Sequence, residues 1–99
     1  MAKSDDRVEI ENFTSPGKTY RVDRAKYEAM RGALLKVLPD NAPGLSVAEA
    51  KAALLPLLPA ALFPGGDKAG WWLKAAQLDL EAKGVIVREP SKPLRLHRT

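Results

Sequence analysis

The sequence predicts a single α+β domain, and three features of the chain lead to this prediction. Residues 67–83 form a helix-like run that stops at Gly84. Two short segments with β-strand patterns follow this run, at residues 85–88 and 94–97. Two earlier stretches repeat their apolar residues at helical spacing. A helix that leads directly into a basic hairpin is typical of the winged helix, so we expect a winged helix-turn-helix-like fold with an N-terminal strand pair, three helices and a C-terminal two-stranded wing.

Alternating apolar and polar residues occur twice in the N-terminal part of the chain. Residues 8–11 and 19–22 both alternate, and a Pro-Gly pair lies between them. This pattern predicts two strands joined by a turn. We expect residues 1–7 to be a flexible N-terminus and residues 8–98 to form one domain, since 99 residues leave little room for two.

The first predicted helix begins after Asp23, a residue type that caps helix N-termini. Val22 and Tyr27 flank this cap at the spacing of a hydrophobic staple. Apolar residues then recur on one face as far as Leu38, and Pro39 ends the run. We expect this face to be part of the core.

A capping box predicts the start of the second helix. Ser46 and Glu49 have the spacing at which the serine hydroxyl accepts from the third amide of the helix and the glutamate accepts from the serine amide. Pro56 and Pro59 remove backbone donors, so the helix should end or kink near Leu55.

The third predicted helix has Asp67 as its N-cap and two opposite apolar faces. One face carries Ala69, Leu73, Ala76 and Leu80, and the other carries Trp71, Ala75, Leu78 and Ala82. Adjacent Trp71 and Trp72 point about 100° apart on a helix, so we expect one of them to be partly exposed. The second face should be covered by the N-terminal strands or by a second subunit.

The composition restricts the class of protein. With 45% hydrophobic and 28% charged residues, the chain is in the range of ordinary soluble globular domains. It has no cysteine, which excludes a disulfide scaffold and a thiolate metal site. No apolar run of about 18 residues and no signal-peptide core occurs, so we expect a cytoplasmic protein with no membrane contact.

Positive charge is concentrated in the predicted wing. The net charge is +4, and residues 85–99 carry four basic groups and one acidic group. The groups that we expect to meet DNA phosphates are Arg88, Lys92, Arg95 and Arg98. The alternative is that strand ends simply carry solvated charge. On the third helix, the residues of a type suited to a DNA groove are Lys68, Lys74 and Gln77.

Catalytic and metal-binding patterns are absent from the sequence. The one histidine, His97, has no spaced ligand partner, and we expect it at a surface strand end. Asp79 and Glu81 diverge on a helix and are expected to be solvated charges. No nucleophile elbow or catalytic triad occurs. We therefore expect no cofactor and no enzymatic activity.

Seven short blocks of the chain carry a resemblance to a known family. The blocks are residues 16–19, 21–23, 26–30, 62–66, 68–72, 77–86 and 93–95. They resemble a family of small uncharacterised bacterial proteins, a domain of unknown function, from about Val8 to Arg98. Residues 80–86 are also similar to the end of the recognition helix in winged-helix regulators. The first resemblance implies no activity, and the second supports the fold alone.

Two functional hypotheses follow from these patterns. The leading one is a non-enzymatic module that binds duplex DNA through the third helix and the basic wing. The alternative is a protein-interaction or homodimerisation module that uses the face of the third helix with Trp71 and Leu78.

Overall fold

The computed structural model describes residues 6–90 and 92–99 and has α+β architecture, as predicted. Three helices and two small sheets are formed by these residues. In chain order the elements are β1 Arg7–Glu11, β2 Thr19–Asp23, α1 Arg24–Val37, β3 Leu45–Ser46, α2 Val47–Leu54, α3 Ala69–Ala82, β4 Ile86–Glu89 and β5 Arg95–Arg98. The expected flexible N-terminus, residues 1–7, falls largely outside the described residues, although Arg7 already belongs to β1.

The strands form two separate antiparallel sheets. β1 and β2 make the predicted N-terminal hairpin, in which Ile10 pairs with Tyr20. The second sheet has the strand order β3-β5-β4, so the predicted wing has gained a third strand. β3 has only two residues, which is too short for an alternating pattern to be recognised in the sequence. β4 and β5 each begin one residue later than predicted.

The predicted caps of the first two helices are confirmed. Asp23 accepts a hydrogen bond from the Lys26 amide at 2.9 Å. Ser46 accepts from the Glu49 amide at 3.1 Å, and the Glu49 carboxylate accepts from the Ser46 amide at 2.9 Å, which completes the capping box. α2 ends at Leu54 and continues as a 3-10 turn through Pro56, as the missing proline donor requires.

The predicted cap of the third helix is wrong. Lys68, and not Asp67, is the N-cap residue, and it has left-handed backbone angles (φ 59°) and no side-chain cap bond. The Asp67 amide donates to the Pro64 carbonyl at 3.0 Å, so Asp67 still belongs to the preceding turn. Gly65 and Gly66 have positive φ and make this tight turn, which delays the helix by one residue.

The core lies between the helices and the three-stranded sheet. Its fully buried large side chains come from α1, α2, α3, β4 and β5 and include Met30, Leu34, Leu54, Leu73, Leu80, Ile86 and Leu96. Leu38 is also buried, which confirms the predicted apolar face of the first helix. No helix among the described residues has the length and apolar character needed to cross a membrane.

A buried carboxylate connects three parts of the fold. Asp79, on α3, accepts hydrogen bonds from the Glu11 amide at 2.8 Å and from the Tyr27 hydroxyl, and its carboxylate pairs with Lys83 at 2.9 Å. Its side chain is fully buried, so the expectation that Asp79 is solvated was wrong. Burial, followed by the hydrogen bond to Asp79, raises the pKa of the Tyr27 hydroxyl well above its usual value, so this group remains a donor.

We predict that Asp79→Ala lowers the free energy of unfolding by about 3–5 kcal/mol, because it leaves an amide, a hydroxyl and an ammonium group without their common partner. Tyr27→Phe removes only one of the three donors and should cost about 1–3 kcal/mol. Urea unfolding followed by tryptophan fluorescence measures both values. Glu9→Ala, on the exposed face of β1, is the control. Equal midpoints for Asp79→Ala and Glu9→Ala would contradict the assigned role of Asp79.

Candidate interaction groove

A groove lies between the β1–β2 hairpin and the N-terminal half of α3. Its volume is about 350 Å³. The apolar lining consists of Ile10, Tyr20, Val22, Trp71, Ala75 and Leu78. The charged groups of the lining are Glu11 and Arg21 on the hairpin and Lys74 on the helix. The groove therefore has an apolar lining with charged side chains from both walls.

The groove exists because the hairpin covers Leu78 but not Trp71 on the second apolar face of α3. The Phe13 amide donates to the Leu78 carbonyl at 3.2 Å, and Leu78 is only 8% exposed beneath the hairpin. Two turns earlier, Trp71 remains 59% exposed. Leu78, expected to share an interaction face with Trp71, is thus part of the buried floor.

The two adjacent tryptophans have different environments, as predicted. Trp72 is buried and makes an edge contact with Phe63, at a ring-centroid distance of 6.4 Å. Trp71 makes an edge contact with Trp72 at 5.0 Å. The exposed indole of Trp71 consequently rests on a buried ring, which limits its freedom to reorient.

Tyr20 was not anticipated as a site residue. It is 46% exposed and lies across the groove lining from Trp71. The strand alternation places Tyr20 on the same face as Val22, which is buried.

The predicted DNA-contacting residues of the third helix differ in their exposure to solvent. Lys68 and Lys74 are exposed at its N-terminal half. Gln77 is only 2% exposed, and its side-chain amide donates to Glu81 at 3.3 Å. Gln77 is therefore turned into the domain and does not present its amide to a base edge. Glu81 is likewise buried, contrary to its expected solvation.

The three arginines of the predicted wing each contact a carboxylate of the same chain. Arg88 donates twice to Glu81, with the Nη2–Oε1 bond at 2.8 Å, and this hydrogen bonding raises the Arg88 pKa further. Its guanidinium also lies over the Phe13 ring, 4.9 Å from the centroid. The charge surplus of the wing is thereby offset by acids from other elements.

The other two wing arginines also lie near carboxylates. Arg95 donates to the Gly44 carbonyl at 2.9 Å and lies 3.4 Å from Glu49. Arg98 pairs with Asp40 at 2.8 Å. Lys92 is exposed in the turn between β4 and β5. Among the four predicted wing contacts, Lys92 alone lacks a carboxylate partner within the described ranges 6–90 and 92–99.

His97 bridges the two strands of the wing. Its Nε2 lies 2.8 Å from a carboxylate oxygen of Glu89, and its Nδ1 lies 2.8 Å from the Arg98 carbonyl oxygen. Two acceptors opposite the two ring nitrogens favour the doubly protonated imidazolium. The carbonyl contact first, and the Glu89 contact second, raise the His97 pKa above 6.5.

We predict that the stability which His97 contributes to the fold decreases as the pH rises. Its stabilising contribution is complete below the unfolded-state pKa of about 6.5 and is lost as the pH increases through the higher folded-state value. Because the chain has one histidine, a proton NMR titration reports its pKa without assignment. Urea midpoints should fall for the native chain as the pH rises above about 6.5, and much less for His97→Gln. A measured pKa at or below 6.5 would contradict this arrangement.

The described residues contain no group of three or more His, Cys, Asp or Glu side chains that could hold a metal ion. The fold and the groove define a small α+β domain organised around a half-covered helix. The chain belongs to a family of unknown function, DUF6958, whose model matches residues 7–96. No curated protein and no solved structure matches it.

Proposed function

We propose that this chain is a non-enzymatic protein-interaction module that holds a partner protein in the groove beside Trp71. The exposure of Trp71 is the observation that carries this proposal. Tryptophan and tyrosine are the residue types that contribute most often to binding hot spots, and here both lie at one groove. An apolar centre with charged groups around it also corresponds to the usual anatomy of protein interfaces.

The rigidity of the groove supports the same proposal. Trp71 rests on buried Trp72, and Leu78 is tied to the hairpin through its carbonyl. A partner would therefore meet a surface that is already in place, which reduces the entropy lost on binding. The element order, in which a short strand separates the first two helices and a hairpin follows the third, supports the winged-helix assignment as part of this proposal.

A photo-crosslinking amino acid at Tyr20, in cells that produce the full chain, tests this proposal. We expect a crosslinked product with a defined protein, and we expect Trp71→Ala to reduce its yield at least about tenfold, the factor that corresponds to about 1.4 kcal/mol. Mass spectrometry of the product identifies the partner. The same crosslinker at Leu57, an exposed apolar residue outside the groove, is the control. Equal products at both positions, or none at Tyr20, would reject the proposal.

Duplex DNA is the second candidate partner. It is favoured by the lysines around the exposed N-terminal half of α3, where Lys68 and Lys74 are joined by Lys51 of α2. The Lys51 ammonium lies 3.5 Å from the position that a Cβ atom at Gly70 would occupy. In this arrangement the lysines contact phosphates, and the wing arginines keep their carboxylate partners.

A salt series with random duplex DNA tests this second candidate. Fluorescence anisotropy should give a log–log slope of about −0.9 for each phosphate contacted. Lys68→Ala should reduce the magnitude of the slope by about 1, because one contact is lost. Arg98→Ala should leave it unchanged, since Arg98 is engaged by Asp40. Undetectable binding at low salt would exclude DNA as the partner.

A further inference from the structure

We draw no further inference here: the strongest candidate, the apolar groove between the β1–β2 hairpin and the N-terminal half of α3, belongs to the site already described, and nothing in the structure shows what covers it.

Discussion

The buried carboxylate of Asp79 is the interaction on which the rest of this structure depends. A charged group without solvent is costly unless donors surround it, and here those donors come from β1, α1 and α3 itself. The Glu11 amide donates to Asp79, so this carboxylate satisfies a backbone donor at the end of β1 that would otherwise need water. Through this single side chain, the hairpin has a fixed position against the helices.

That position determines which part of α3 is available to a partner. The hairpin covers Leu78 on the second apolar face and leaves Trp71, two turns earlier, open. Gln77 and Glu81 are also buried, and Glu81 is held by Arg88 of β4, at the place where a groove-reading helix would display polar side chains. The packing of the hairpin on α3 gives Trp71 its exposure and makes the groove beside it. The position of the hairpin therefore leaves open the residue on which the proposed protein interaction depends.

The sequence predicted the parts of the fold that depend on neighbouring residues, such as the Asp23 cap and the Ser46–Glu49 capping box. It missed β3 because two residues carry no periodic signal, and it misplaced the cap of α3 because spacing rules do not describe the left-handed residues before that helix. Contacts between distant positions were hidden as well, since the Tyr27 hydroxyl that donates to buried Asp79 lies 52 positions away. At the groove, helical spacing placed Trp71 on the second apolar face, but its exposure depends on where the distant hairpin contacts α3, which is at Leu78.

The order of the three-stranded sheet has a consequence for how the chain acquires its structure. β5, the last element described, is the central strand, and neither β3 nor β4 has the other as a neighbour. Gly44 receives the Leu96 carbonyl so closely that a Cβ atom there would lie 2.1 Å from its oxygen. During synthesis, the ribosome must therefore produce nearly the whole domain before either outer strand finds its partner. Until then the apolar core residues of α1, α2 and β4 lack buried Leu96, and transiently exposed apolar surface of this kind promotes aggregation.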